Sequence, residues 1–488
     1  MKREQPREDD DRAHPGHLPR GPFAFRYRGP VTDPLAQAGD ECLALLRSLI
    51  RLPTVNRGPD GPTDGHERPA AECIAEYLRS VGVEPRLYEP EPGRTSVVAR
   101  IRGTGEKPPL LLNAHLDVVE ADASSWTHPP FEARVEKGYL WGRGAVDMKN
   151  MAAMSAVVMG LLAKGAAKKP LTRDVIFAGV ADEESGCAKG SMFLVNEHPD
   201  AVRAEYVLGE IGGFSLHMLG RTFYPIQVAE KGMCWVRATF KGEPGHGSMP
   251  HDDTSVLKLS RALARLTGQR FPMHPTAAVR SFVGALAKEL PQPQKAVLRR
   301  LTTPALASLI LDRLVKDPGQ RRTFSALLSN TATPTVLRAG AKTNVIPGSA
   351  SVEIDGRTLP GQTEESFLAE LRAALGPEGV EAEIDVIRSL PPIETLPEGP
   401  LFDQLTASIR KHDPKGVPIP FVIPGFTDAK AYATLGTRCF GFAPIQFDPA
   451  SDLSFSRIYH GVDERIPTAG LTWGLGVLFD AVAEFATA

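Results

Sequence analysis

The sequence predicts an α/β chain, a mostly parallel sheet flanked by helices and interrupted by a smaller α+β domain. Fully apolar runs of strand length, PPLLLNAH, DVIFAGVAD and AEYVLGE, alternate with helical patterns such as MKNMAAMSAVVMGLLAKG. Strands without a polar face belong in a parallel sheet covered by helices on both sides. Between about Arg221 and Leu390 the texture changes to longer, alternating strands (YPIQVAEKGMCWVRATFKG, TPTVLRAGAKTNVIPGSASVEIDGRTLP, VEAEIDVIRSL) interleaved with helices, which reads as a separate domain inserted into the first. The length of 488 residues exceeds the size at which one core keeps growing, so two domains with a cleft between them are expected.

Taken in order, residues 1–36 are charged and proline-rich with no apolar core segment, which reads as a flexible or surface-draped leader rather than a signal or a membrane anchor. Two helical patterns follow, ECLALLRSLIRL and ERPAAECIAEYLRSVGV, then the strands TSVVARI and PPLLLNAH. The first domain is expected over 37–220 and 391–488, and the insertion over 221–390, with helices at DTSVLKLSRALARL and TEESFLAELRAAL. Within the insertion, 285–330 is an extra helical stretch whose apolar spacing suggests packing on that domain or on a neighbouring subunit. The chain ends in the helix TAGLTWGLGVLFDAVAEF, and no fixed-period repeat is present.

Lys+Arg (56) and Asp+Glu (58) nearly balance, which leaves no electrostatic footprint for nucleic acid or an anionic membrane and favours a small-molecule or peptide substrate. Cys42, Cys73, Cys187, Cys234 and Cys439 never form a CxxC pair. They read as reduced thiols in a cytoplasm rather than as a disulfide framework or a cysteine zinc site. The Gly-Lys dipeptide of a P-loop and the HExxH helix of single-zinc metalloproteases are both absent.

The chemistry concentrates in acids and histidines at the ends of apolar runs: His115 in NAHLD, Asp147 in GRGAVDMKN, Glu183 and Glu184 in ADEESG, Glu210 in VLGEIGG, and His460 in YHGVDERIP. In α/β sheets reactive groups gather outside the strand carboxyl ends. Two histidines and three carboxylates, His115, Asp147, Glu184, Glu210 and His460, suffice for a pair of zinc ions sharing Asp147. Asp117 is placed to accept the spare imidazole N–H of His115 and fix its orientation. Plainer readings compete. A single histidine at a strand end is usually a satisfied polar residue, and Asp147 could cap the helix that follows it. Adjacent carboxylates such as Glu183 and Glu184 after a buried strand are harder to dismiss, because without a cation or a proton their burial is unfavourable.

HLDVV, GRGAVDMK, DEESG, the Glu of VLGEIGG and the late HGVDERIP resemble, in order and context, the metal motifs of the co-catalytic zinc peptidase and deacylase family that includes aminoacylase, glutamate carboxypeptidase, acetylornithine deacetylase and carnosinase. The similarity runs from about residue 40 to the C-terminus. Its nearest branch is that of carboxypeptidase S and N-fatty-acyl-amino acid hydrolase, because TPTVLRAGAKTNVIPGSA and GRTLPGQT follow a helical insertion. The resemblance implies a zinc hydrolase domain with an inserted lid and dimerisation domain. It implies one zinc on His115 and Glu210, a second on Glu184 and His460, Asp147 bridging them, and Glu183 as general base toward the bridging water. It further implies that His246 of GHGSMP stabilises the oxyanion from the other subunit of a homodimer. Asn344 and Arg357 would grip the substrate, and Gly425 and Thr427 of PGFTDAK would lie against its carboxylate end. Cobalt or manganese could replace zinc on such ligands. The implied reaction is hydrolysis of an amide next to a free carboxylate. An inactive binding or scaffold protein of the same fold is the competing reading, and it is disfavoured because all expected ligands and the general base are present.

Overall fold

A computed structural model describes residues 34–58, 66–167, 169–218, 220–316, 318–449, 457 and 459–488. The expected leader, apart from its last three residues, lies outside them. Its backbone is a mixed sheet of ten strands, a separate antiparallel sheet of four, and two small sheets. In the large sheet, Leu110–His115 runs parallel to Val175–Val180 on one side and to Tyr206–Gly209 on the other, and Arg438–Gly441 continues the parallel set. Every residue of Leu110–His115 and Val175–Val180 is buried, as unbroken apolarity requires of strands covered on both faces.

Helices cover this sheet. Lys149–Ala163 is buried almost throughout and packs with Pro34–Ile50 and Thr468–Ala486. The last of these is long and apolar enough to cross a membrane, but two thirds of its apolar window is buried inside the molecule, so its apolarity is used as core. All five cysteines are free thiols.

The four-stranded sheet has the order Thr331–Ala339, Ser349–Thr358, Gly232–Lys241, Glu383–Leu390. Its central strand Ser349–Thr358 alternates buried and less buried residues, the period-two pattern of a sheet packed on one face. The helices Ser255–Gly268 and Glu364–Leu375 cover that face and close a core of their own around Phe240, Val352 and Phe367. Thr254 caps the first by accepting from Leu257 N, and Thr363 with Ser366 forms a capping box on the second.

Strand pairing differs from the expected boundary at 221. Arg221–Glu230 belongs to the large sheet, parallel to Val417–Ile423, and its last eight residues are all buried. Pro225 and Gln227 interrupt its apolar run and gave it the look of a half-solvated strand. The chain crosses between sheets at Lys231 and returns at 391–392, and Gly232 is required at the crossing, where a Cβ would lie 2.2 Å from Thr358 Oγ1 and 2.8 Å from Leu390 O. The helical stretch 285–330 also packs elsewhere than expected, since Leu301, Ala307, Ile310, Leu311 and Leu327 join the core of the large sheet. The helix that leads into it, Ala277–Lys288, lies on Val417–Ile423, with the rings of Phe282 and Phe421 5.9 Å apart.

Candidate metal centre

Three adjacent parallel strands deliver the site. His115 ends Leu110–His115, the turn Glu183–Ser185 follows Val175–Val180, and Glu210 follows Tyr206–Gly209. Asp147 arrives from a loop held by Glu464, a fully buried residue. Glu464 Oε1 accepts from Val146 N (2.6 Å) and Asp147 N (3.0 Å), while Oε2 accepts from Gly144 N (3.1 Å) and pairs with Arg143 (2.7 Å). A three-stranded sheet made by Arg134–Glu136, Tyr139–Trp141 and Arg465–Pro467 brings this late segment, with His460, against that loop.

Among the described residues, two groups of potential ligands share Asp147. His115, Asp147 and Glu210 form one and Asp147, Glu184 and His460 the other; a third, His115 with Glu183 and Glu184, overlaps both, and ligand atoms inside each group lie within 4.8 Å of one another. His115 Nε2 is 3.0 Å from Asp147 Oδ1 and 3.8 Å from Glu210 Oε2. His460 Nε2 is 2.9 Å from Asp147 Oδ2 and 3.3 Å from Glu184 Oε2. Buried Asp147 Oδ2 and Glu184 Oε1 nevertheless have no hydrogen-bond partner. Buried carboxylate oxygens left without a bond, one of them 2.9 Å from an imidazole nitrogen, are what a shared cation satisfies, and imidazole with carboxylate is a donor set suited to zinc. The alternative for Asp147 is not what the structure contains, since the helix Lys149–Ala163 has no side-chain cap.

Electrostatics agree with that fit. Burial, reinforced by Glu210, holds the Glu183 carboxyl well above the usual range, and burial with Asp147 raises Glu184. Burial lifts Glu210 to about 7. Asp147 and Glu184 raise His460 to about 10. Although burial opposes a charged ring, Asp117, Asp147 and Glu210 hold His115 well above its ordinary value. So many acids in one buried place retain protons or gather cations.

Asp117 does more than expected and does it differently. The spare ring nitrogen of His115, Nδ1, lies 2.9 Å from the backbone carbonyl of Asp117 and 3.5 Å from its carboxylate. The carboxylate instead accepts from Glu183 N (3.2 Å), Glu184 N (3.0 Å) and Asn56 Nδ2 (2.8 Å). It fixes the turn that carries the general-base candidate. Asp182 enters that turn at φ +67, held by Arg94 (2.6 Å) and Asn56 (3.2 Å).

The remaining expected residues sit on the inserted domain and on the loop facing it. His246 is exposed on the ribbon Gly245–His246 paired with Val345–Ile346, its Nδ1 2.7 Å from Ser248 Oγ, and it joins none of the ligand groups. Asn344 is its neighbour, accepting from Gly247 N at 2.9 Å. Arg357 makes a two-point pair with Asp355 (2.8 and 3.1 Å) and lies 5.8 Å from the Phe426 ring, leaving Nη1 buried without a partner. Gly425 flanks Phe426. Thr427, in contrast, is turned inward and donates to Glu230 Oε2 at 2.7 Å, a buried carboxylate that also receives Lys430. Its hydroxyl anchors the loop. Asp428 adds a second anchor, accepting from Asn113 Nδ2 (2.9 Å) and Ser191 Oγ (2.5 Å).

Sequence reasoning missed Asn56, Asp428, Tyr459 and Glu464. Tyr459 donates to Glu210 and stacks on the His460 ring at 5.1 Å. Tyr459 and Glu464 stand inside YHGVDERIP, so a motif read residue by residue contained the signal. Asn56 carried none.

Residues 111–484 match the model of Peptidase family M20/M25/M40. Over 477 residues the chain is 29% identical to the N-fatty-acyl-amino acid synthase/hydrolase PM20D1 of Mus musculus, covering 91% of this chain and 88% of that protein. It is 29% identical over 389 residues to a probable carboxypeptidase S-like 2 of Dictyostelium discoideum, covering 76% and 70%. The fold is similar to that of an M20 family metallo-carboxypeptidase, Sso-CP2, from Sulfolobus solfataricus, with TM-score 0.68, 20% identity and coverage of 92% and 100%.

Proposed function

This chain belongs to peptidase family M20/M25/M40, and we propose from that premise that it hydrolyses the amide bond of N-acyl-amino acids or peptides next to a free carboxylate. The observation that carries the reading is the pair of ligand groups joined at Asp147, with buried Glu183 on the turn beside them. His115, Asp147 and Glu210 would hold one zinc ion, and Asp147, Glu184 and His460 a second. Bound there, the metals supply Lewis acidity, polarising the scissile carbonyl and making water acidic enough to ionise near neutral pH.

The residues supply the rest. Glu183 accepts the proton lost by the attacking water and returns it to the leaving amine, a transfer suited to a carboxyl whose surroundings favour its protonated form. Asp117 sets the direction of that carboxylate by holding its backbone. Arg357, with one guanidinium nitrogen still unpaired, is suited to the substrate's free carboxylate, and Asn344 and the Gly425 loop to its orientation. Thr427 acts by anchoring that loop. His246 donates to the oxyanion from the partner subunit of a homodimer. Support for a dimer is the outer strand Thr331–Ala339 of the inserted domain, which exposes Leu337 at its free edge. A monomeric mass in solution at full activity overturns the dimer.

A bulky apolar acyl group is the favoured partner on the carbonyl side of the scissile bond, in keeping with the name of the mouse relative. The test is product release, by mass spectrometry, from dipeptides and N-acyl amino acids of graded chain length, using zinc-loaded protein beside Glu183→Gln. Expected are faster cleavage of long-chain acyl substrates and loss of turnover by about 100-fold or more in the variant at unchanged zinc content. Preference for acetyl substrates defeats the acyl assignment, and no cleavage anywhere moves the reading to a binding protein.

A further inference from the structure

The turn carrying Glu183 and Glu184 is held from two sides that belong to different sheets. Its amides are held by Asp117, from the large sheet. Its carbonyls are held by Arg388, from the four-stranded one. Arg388 Nη2 donates to Gly186 O at 2.8 Å and Nη1 to Ser185 O at 3.3 Å. The approach is close. A Cβ on Gly186 would lie 2.4 Å from Arg388 Nη2, and Gly186 has φ +98, so only glycine accommodates both the backbone and the guanidinium.

The strand Glu383–Leu390 is shaped for this contact. Trp235 pairs with Arg388 and Val236 with Val386, so Ile387 is the extra residue of a β-bulge immediately before Arg388. Bulges bend a strand and re-aim the side chains beside them. Three residues later the chain passes through Pro391 and Pro392 back to the large sheet. Arg388 therefore stands at the return crossing between the two bodies, where any rotation of one on the other displaces its guanidinium from the turn.

We propose that Arg388 is a positioning residue that couples the placement of the inserted domain to the Glu183–Glu184 turn, so that the turn is fully ordered only while the domain is docked as seen here. The inference rests on the hydrolase reading for its catalytic consequence, and on geometry alone for the coupling. Arg388 is itself neither a metal ligand nor a substrate contact; it acts through the backbone of the turn that carries Glu183 and Glu184.

Two measurements test it, on the full-length, zinc-loaded protein. In turnover assays Arg388→Met lowers kcat by about 10- to 100-fold, the range for losing hydrogen bonds from a charged donor, with KM within about twofold of wild type. Arg388→Lys, which keeps one donor, recovers part of the loss. In hydrogen exchange followed by mass spectrometry, a peptide spanning 182–190 exchanges faster in Arg388→Met than in wild type, while one spanning 110–116 is unchanged. Wild-type kcat and wild-type protection in Arg388→Met overturn the proposal. So does an effect confined to KM, or a lowered melting temperature with unaltered kcat. If the wild type itself cleaves nothing, the hydrolase reading fails and the exchange measurement still decides the coupling.

Discussion

The two sheets hold their functional side chains in opposite ways. On the large sheet His115, Asp117, Asp147, Glu183 and Glu210 are each at most 5% exposed, and of the candidate ligands only His460, on its late loop, is exposed. On the inserted domain His246 and Asn344 are exposed, and Arg357 keeps an unpaired nitrogen. The difference teaches where preorganisation resides. Groups that must meet within a few tenths of an ångström are built on one rigid body, and groups that recognise what arrives are carried on a second body whose final position is set by docking.

The comparison breaks most completely if the rigid half is not one unit. Asp147 belongs to both ligand groups, so Asp147→Asn is expected to lose both metals and all turnover together, read by elemental analysis and product release. Retention of one metal at full occupancy would show that the groups are independent.

Next in size is His246→Ala, expected to lower kcat by about 100- to 1,000-fold, the usual loss for an oxyanion donor, at unchanged metal content. Mixing sharpens it. If His246 of the partner subunit serves each site, an equimolar mixture of Glu183→Gln and His246→Ala chains regains about a quarter of wild-type activity, because about half of the dimers are mixed and each of those has one intact site. No recovery places His246 in its own chain's site.

Much of this division was legible in the sequence. Continuous apolarity gave PPLLLNAH and DVIFAGVAD as buried parallel strands, and five short motifs in order pointed to the potential ligands. Alternation marked SASVEIDGRT as a one-sided strand. What stayed hidden depends on contacts that local pattern does not encode. Asp428 meets Asn113 across 315 residues of chain, and Arg388 meets Gly186 across 202. Arg221–Glu230 reads as the start of the inserted domain because its pairing with Val417–Ile423, not its own composition, buries it in the large sheet. Thr427 shows the same limit at one side chain, since a motif gives position while the fold decides which way the hydroxyl points.

Glu464→Gln tests whether backing residues of the rigid half matter as ligands do. It removes the charge facing Arg143 while keeping the shape. Expected are metal binding weakened by about 10- to 100-fold in chelator competition and folding stability reduced by about 3 kcal/mol, since the buried guanidinium loses its partner. Unchanged metal affinity would confine preorganisation to the ligands themselves.

An effect on stability alone, with no loss of turnover, is expected at the crossing between the two bodies. Lys231 is buried there, its amine donating to Ala326 O and Ser329 O at 2.9 Å each and to Thr331 Oγ1 at 3.3 Å. Burial, with the Arg357 guanidinium adding to it, lowers this amine to about 7. In the unfolded chain it titrates near 10.4. Between those values the unfolded state holds a proton that the folded state has released, so stability rises with pH across about 7 to 10. The contribution is flat below that window, where both states are charged, and above it, where both are neutral. Chemical denaturation at a series of pH values should show the rise, and Lys231→Met should flatten it while leaving the acid limb unchanged. An undiminished rise in the variant would mean that the crossing tolerates a charged lysine, and that the two bodies meet through a wetter, looser joint than the burial of Lys231 implies.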